Sequence, residues 1–486
     1  MALPSLYDFQ STLLAQIHHH YSEGYRRLLL YAPTGAGKTL LSVHLMQQRM
    51  QVGEKCLFVV RHQPLVDQTL AYIQQMGQRA GVIKAGYTWD PSHPIQVASL
   101  QTLNRRRYWP EADWILLDEA HGCTAPHYDS VFGRYDGATF VGLSATPFLL
   151  NRNRPLSTRF EALLASPQVT DLIEAGYLVP PIVYGHPPDS LDTRTIRILG
   201  GDYDRHELAL KCNTPAMTAA LVQEWQQRAA GRRTLAFAVD RLHAQAIAAA
   251  FRSAGIPAES LDGTTSERQR RQMYGRLRRG ETLVLSSCGV LNEGFDEPSV
   301  SALLLARPTR SRVLYLQQVG RGLRPDPSSG KQDCIILDQA GNSWRLGLPT
   351  DPVVLNLEAE IHTRSGTAPL KRCPDCTAIL PMSTRLCPVC HHAFIRDWRM
   401  ELLDTLEPVA AQQVDPKVVD LMVALKRKQE NSGYRLGWVY FAFMKQHKRP
   451  TLPELQLLAQ VLGYEPGWAW FRWRQLQQGS SGSQRR

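Results

Sequence analysis

At 486 residues the chain exceeds what one hydrophobic core organises, so two or three domains are expected. Its 55 Lys and Arg against 44 Asp and Glu leave a net charge of +11, which favours a polyanionic partner. No run approaches the eighteen or so apolar residues of a membrane span, and the start MALPSLYDFQ lacks a charged-then-apolar leader. A cytoplasmic protein without a membrane-spanning helix is therefore expected.

In chain order, short apolar runs alternate with amphipathic stretches. RRLLLYAP, KCLFVV, IQVASL, WILLDEAH and ATFVGLSAT read as buried strands, with LLSVHLMQQRMQ and QPLVDQTLAYIQQM as helices between them. This rhythm predicts an α/β domain with a parallel sheet over residues 1–177. The proline-rich LVPPIVYGHPPDS then interrupts it, and residues 178–212 read as an inter-domain connection. TLAFAV, LVLSSC, ALLLAR and DCIILD restore the rhythm, predicting a second α/β domain over 213–345. A linker is expected over 346–372, a cysteine cluster over 373–395, a helical aromatic region over 396–476 and a polar flexible tail over 477–486.

Three motifs carry chemistry. Ala32 to Thr39 reads APTGAGKT between a predicted strand and a predicted helix. Gly35 and Gly37 let the backbone around Thr34 and Ala36 curl so that its N–H groups face phosphates. Lys38 would reach the β- and γ-phosphates of ATP, and the Thr39 hydroxyl would hold Mg²⁺. Ala32 stands where the general P-loop pattern has glycine. About eighty residues later, WILLDEAH presents Asp118 and Glu119 at a strand's carboxyl end: Asp118 for the Mg²⁺ shell, Glu119 to orient and deprotonate water. An acidic strand end alone would be an ordinary turn; its position after a P-loop gives it meaning. In QQVGRGLR, Arg321 and Arg324 lie three apart on one helix face, where they could meet a γ-phosphate across a cleft. Standing alone, that segment would read as a solvated basic helix.

The ordered set resembles the superfamily 2 helicases across residues 6–342. Phe9-Gln10 is similar to the adenine-reading glutamine motif, although Tyr7 stands where the family often has Arg. APTGAGKT and DEAH match motifs I and II; VVRHQPLVDQT (59–69) and VASLQTL (97–103) resemble the first-domain motifs that grip the strand backbone. SAT (144–146) resembles motif III, VLNEGFDEP (290–298) motif V with Gly294 and Asp296, and QQVGRGLR motif VI with Gln317, Arg321 and Arg324. The resemblance implies two tandem RecA-like domains, ATP and Mg²⁺ as nucleotide and metal, and nucleic acid as partner, most naturally single-stranded or branched DNA. Within the superfamily, DLIEAGYLVPP, RPTRS…YLQQVGRGLR and LDQAGN are similar to bacterial RadD-type DNA helicases, which implies a repair or recombination role. Three other readings stay open: a translocase that remodels branched DNA without net unwinding, an RNA helicase, and a nucleotide-regulated zinc-ribbon scaffold.

Cys373, Cys376, Cys387 and Cys390 form C-x2-C-x10-C-x2-C, whose two short knuckles suit four thiolates around one Zn²⁺ in a structural ribbon. His391 and His392 beside them read as surface residues. The five scattered cysteines, Cys56, Cys123, Cys212, Cys288 and Cys334, read as reduced core thiols. In the tail, GYRLGWVYF (433–441) recurs as GYEPGWAWF (463–471). Trp438, Phe441, Trp468 and Phe471 either form a small helical core or present a stacking surface for unpaired bases; residues 426–450 carry seven Lys or Arg and one Glu.

Overall fold

The computed structural model describes residues 5–61, 63–75, 77–146, 155–186, 191–292, 295–357, 369–394, 414–434, 437–447, 450–464, 468–469, 472–473 and 476. They form two compact units, 1–393 and 394–486, each described separately.

The first unit is built on two parallel sheets. Strands β1 (Arg27–Tyr31), β2 (Cys56–Val60), β3 (Gly81–Ile83), β4 (Ile95–Ser99), β5 (Trp114–Leu117), β6 (Thr139–Ser144) and β7 (Ala162–Ala165) form a seven-stranded sheet in the order β3-β4-β2-β5-β6-β1-β7. All its pairings are parallel. β2, β4, β5 and β6 are buried at every residue, because crossover helices cover both faces; that is why they read as unbroken apolar runs. The second sheet contains β8 (Pro181–Gly185), β11 (Thr234–Phe237), β12 (Ala258–Leu261), β13 (Val284–Ser287), β14 (Ala302–Leu305) and β15 (Cys334–Asp338), with the two-residue strands β9 (Ile198–Leu199) and β10 (Asp202–Tyr203) forming a separate hairpin. Its order is β12-β13-β11-β14-β15-β8, again wholly parallel. These are the two RecA-like domains expected.

Two segments differ from the sequence reading. Residues 178–212 are more than a connection: β8 completes the second sheet against β15, and a helix follows at Arg205–Cys212. Pro180 and Pro181 concealed the strand, yet proline is tolerated there because β8 is an edge strand, with no partner on its far side among the described residues. The linker over 346–372 also begins as packed chain. Val353 N–H donates to Gln168 Oε1 at 3.1 Å while Gln168 Nε2 donates to Val353 O at 3.2 Å. Ser157 N–H donates to Leu357 O at 3.0 Å, so residues 347–357 strap back onto the first domain. Buried Leu348 and Val353 hold the strap without any helical or strand period that would announce it.

The cysteine segment forms a ribbon on the second domain. β16 (Leu370–Arg372) and β17 (Ile379–Pro381) pair antiparallel. Ile379 belongs to the large apolar core shared by both sheets. Arg228 anchors the ribbon: its guanidinium donates to Cys376 O at 3.3 Å and Thr377 Oγ1 at 3.0 Å, and lies 4.2 Å from the Tyr184 ring centre.

The second unit is helical over Pro416–Ser432, Gly437–Gln446 and Leu452–Leu462. Gly433 (φ 65°) and Gly463 (φ 69°) end their helices in the left-handed region, where a side chain would be strained. This explains the sequence repeat: each copy opens on the glycine that stops a helix, and the first continues into the helix Gly437–Gln446. Tyr434 then meets Trp438 at 4.7 Å between ring centres, and Tyr464 meets Trp468 at 4.9 Å. Among the described residues, no helix is long and apolar enough to cross a membrane.

Candidate functional site

The motifs gather at the carboxyl ends of the first sheet, where parallel sheets place their ligands. The P-loop follows β1 and leads into the helix Lys38–Gln51. Gly35 (φ 96°) and Gly37 (φ 77°) take left-handed conformations, and Gly37 begins the helix without a side-chain cap. The first N–H groups of that helix thus point outward as an anion cradle. A Cβ on Gly37 would lie 2.5 Å from Gln10 Nε2, so only glycine admits the glutamine there. Buried Gln10 is committed at both ends: Nε2 donates to Ala36 O at 2.8 Å and Oε1 accepts from Tyr7 N–H at 2.9 Å. Phe9 packs beneath Tyr177, with 5.2 Å between ring centres.

Lys38 Nζ donates to Ala32 O at 3.1 Å and Pro33 O at 3.3 Å, folding over its own loop. Burial pushes its ammonium below the ordinary lysine range; Glu119 and Asp118 oppose that, while Arg321 and Arg324 add to it. Thr39, half-buried, is the second residue of the same helix. After β5, Asp118 Oδ1 accepts the Glu119 N–H at 3.0 Å, and Glu119 takes a left-handed conformation at φ 50°. His121 Nδ1 stands 3.2 Å from Glu119 Oε2 and 3.5 Å from Ser144 Oγ of the SAT segment. Burial would raise the Glu119 carboxyl, but the His121 ring and the charges of Lys38 and Arg321 outweigh it and hold the group well below the usual carboxylate range. Glu119 is therefore ionised, in a backbone conformation uncommon for a residue with a side chain.

The second domain completes the cluster. Arg321 closes the helix Arg312–Gly320, of which buried Gln317 is part. Arg321 donates to Phe295 O at 2.7 Å, and Arg324 donates to the same carbonyl at 3.2 Å while pairing with Asp296 Oδ1. Gly320 meets the P-loop: a Cβ placed on it would lie 2.2 Å from Thr34 Cβ. Lys38, Asp118, Glu119, Arg321 and Arg324 are thus brought together across the cleft. Gly294 lies outside the described residues. The sequence reading missed His121, Gly320, Phe295 and Tyr72; Tyr72 donates its hydroxyl to Asp296 Oδ2 at 3.2 Å from the other domain. DEAH and QQVGRGLR already contain His121 and Gly320, whereas nothing local marks Tyr72.

Away from the cleft, the four sulfurs of Cys373, Cys376, Cys387 and Cys390 lie within 4.8 Å of one another. Two pairs are 3.5 and 3.6 Å apart, close to the roughly 3.8 Å edge of a tetrahedron with metal–sulfur bonds of about 2.3 Å. The two knuckles match bond for bond. Cys373 N–H donates to Ala378 O and Thr377 N–H to Cys373 O; Cys387 N–H donates to His392 O and His391 N–H to Cys387 O. Thr377 and His391 share a left-handed conformation, at φ 63° and 59°. The donor set therefore fits one zinc ion. His391 is exposed, and His392 Nδ1 pairs with Asp375 at 2.8 Å instead of joining the sulfurs. In the helical unit, Trp438 and Trp468 pack against the core, whereas Phe441 is 69% exposed; Phe471 lies outside the described residues.

Residues 3–149 match the family model "Type III restriction enzyme, res subunit", and residues 216–326 match "Helicase conserved C-terminal domain". The chain is 26% identical to a 51.5 kDa protein of a Lactococcus phage, over 84% of this chain and 87% of that one. It is 28% identical to a Saccharomyces cerevisiae protein named as a candidate ATP-dependent helicase, IRC3, over 74% of this chain and 54% of that one. The chain thus spans about half the yeast protein's length. In fold it is similar to the fragment structure of a candidate HsdR subunit of a type I restriction enzyme from Vibrio vulnificus (TM-score 0.55, 20% identity), covering 70% of this chain and 65% of that one. A second likeness is to the ATP-dependent type ISP restriction-modification enzyme LlaBIII bound to DNA (TM-score 0.51, 17% identity), covering 70% and 28%. Two matched domains in motif order, on two sheets that join one charged cleft, make the chain a member of the superfamily 2 helicases, an ATP-hydrolysing enzyme.

Proposed function

We propose that this helicase is a cytoplasmic DNA motor of the RadD type, moving along or separating single-stranded or branched DNA during repair or recombination. The observation that carries the motor reading is the position of Arg321, on the second domain, close enough to bias the charge of both Lys38 and Glu119 on the first. A binding scaffold has no need to converge two cations and an ionised, strained carboxylate across a cleft. The net charge of +11 and the seven cations of residues 426–450 favour a phosphate backbone, and the likeness to an enzyme bound to DNA favours DNA.

In this reading the outward N–H groups after Gly35 and Gly37 receive the phosphates, and Lys38 leaves its loop carbonyls for the γ-phosphate. Thr39 and Asp118 would hold Mg²⁺, a hard cation suited to their oxygens, which neutralises phosphate charge when bound. Glu119, held by His121, orients the attacking water and accepts its proton. Arg321 and Arg324 turn from Phe295 O and Asp296 toward the charge that develops on the transferred group. Gln10 holds Ala36, and so the P-loop, in place. Cys373, Cys376, Cys387 and Cys390 would hold a structural zinc, folding the ribbon against the second domain.

The test is ATP hydrolysis measured with no nucleic acid, single-stranded DNA, forked DNA and RNA, with Lys38→Ala and Glu119→Gln in parallel. Stimulation by DNA, with turnover reduced at least ~100-fold in both variants, is expected. Full activity in either variant refutes the site; stimulation by RNA alone refutes the DNA reading. Fork reversal without unwinding would make the motor a remodelling translocase.

A further inference from the structure

Both motif VI arginines are held at one place, the Phe295-Asp296 peptide. Asp296 has two carboxylate oxygens, and they face different domains. Oδ1 takes Arg324, while Oδ2 accepts the Tyr72 hydroxyl across the cleft. Tyr72 lies on the helix Gln63–Gln75, whose first half belongs to the segment 59–69 read as a grip on the strand backbone. Three groups are therefore joined in a line: the helix read as the grip, a carboxylate, and a motif VI arginine. Burial and the facing Asp296 push the Tyr72 phenol up to about 12, so it remains a donor at any physiological pH.

We propose that Tyr72 is a positioning residue that couples the nucleic-acid grip to ATP hydrolysis, by fixing Asp296 and through it the orientation of Arg324. Movement of the helix Gln63–Gln75 when a strand is gripped pulls on Asp296 through one hydrogen bond, and so resets where Arg324 points. A bond to a charged acceptor transmits that movement well, because its loss costs more than that of a neutral pair. The inference rests on the proposed ATP site and on residues 59–69 as the grip.

The experiment compares wild type, Tyr72→Phe, Asp296→Asn and the double variant, each with and without poly(dT) and forked DNA. Tyr72→Phe removes one hydroxyl and leaves the ring. Expected is a roughly ten-fold fall in DNA-stimulated kcat, with KM for ATP changed less than about two-fold. In the Asp296→Asn background the same substitution should have no further effect, since the relay is already cut. An unchanged stimulated kcat, or equal losses in both backgrounds, overturns the proposal. Lys38→Ala run alongside separates the two failures: if it is inactive while Tyr72→Phe behaves as wild type, the ATP site stands and only the coupling falls. Equal thermal midpoints for wild type and Tyr72→Phe are expected; a lowered midpoint with kcat and KM lost together would make Tyr72 merely structural and also overturn it.

Discussion

Gly320→Ala is the sharpest perturbation of the cleft, because one methyl group tests the domain contact directly. The added Cβ would stand 2.2 Å from Thr34 Cβ, 2.5 Å from its Cγ2 and 3.1 Å from its carbonyl oxygen. Ordinary van der Waals contact begins at 3.4 Å, so the motif VI helix and the P-loop must separate by about 1.2 Å (3.4 − 2.2). Neither side has an easy alternative: Gly320 ends a helix that carries buried Val319, and Thr34 sits in a loop fixed by Gly35 and Gly37. Arg321 and Arg324 follow Gly320 directly and move with it. A displacement near 1 Å of positioned catalytic groups costs on the order of 100-fold in rate. Gly320→Ala should therefore lower kcat on that scale, with far-ultraviolet circular dichroism unchanged, since alanine suits a helix better than glycine. Thr34→Gly removes the opposing Cβ and should restore much of the rate in the double variant. Normal kcat in Gly320→Ala, or no rescue by Thr34→Gly, would refute the view that hydrolysis uses this close approach.

The tail separates its two readings through neighbouring phenylalanines. Phe443→Ala, fully buried, should cost about 3–5 kcal/mol in denaturant unfolding. Phe441→Ala, 69% exposed, should cost under ~0.5 kcal/mol; a single-stranded DNA affinity weakened at least five-fold marks a stacking surface, and an unchanged affinity leaves the motif purely architectural. Atomic absorption should find one zinc per chain, absent after Cys387→Ala, and chelation should speed proteolysis near Ile379, which the ribbon contributes to the motor core. Burial depresses buried His243 to about 4 against partial opposition from Asp240. The unfolded chain, with an ordinary histidine pKa near 6.5, then binds the proton that the folded chain refuses, so stability falls as pH drops from about 6.5 to 4. The loss between pH 7 and 5 should be roughly 2 kcal/mol in wild type and largely absent in His243→Gln; equal slopes in both would refute it.

What could be read from the sequence depended on how local each signal is. The unbroken apolar runs at β2, β5 and β6 announced strands because both faces of a parallel sheet are buried. The two zinc knuckles were equally plain, since each is closed by hydrogen bonds within five residues. β8 escaped notice because its prolines mimic a loop and only Val183 of its five residues is fully buried. The strap 347–357 was invisible for a different reason: it is held by a few bonds to Gln168 and Ser157, and such bonds leave no period. Tyr72 and Asp296 are 224 residues apart, and no pattern within either segment reports the other. The aromatic repeat showed its turn, through Gly433 and Gly463, but not its inward face; Val439 and Phe443 are buried where Phe441 points outward.

The strap also bears on how the cleft is expected to move. The chain leaves the first domain after the helix Val169–Glu174, with Tyr177 still packed on Phe9 and Val179 N–H donating to Leu323 O of the second, and residues 347–357 bring it back beside Gln168, where Val353 is bonded at both its N–H and its carbonyl. Two crossings on the β7 side of the first sheet predict a hinge along that edge. The P-loop follows β1, the neighbouring strand, whereas Lys84 follows β3 at the opposite edge, six strand spacings away. At about 4.8 Å per spacing, the P-loop lies roughly 5 Å from the hinge line and Lys84 roughly 29 Å. A rotation of about 10° would then shift the P-loop contacts by roughly 1 Å and the far edge by roughly 5 Å. That far edge holds the cross-domain pair of buried Lys84 with exposed Glu267, 3.5 Å long, which breaks at little cost because Lys84 keeps its 2.6 Å pair with Asp67. On that expectation, small changes around the phosphates become larger movement away from them. The same lever makes Gly320→Ala informative beyond its rate: 1.2 Å of forced separation beside the hinge implies roughly 7 Å at Lys84, enough to abolish that ion pair.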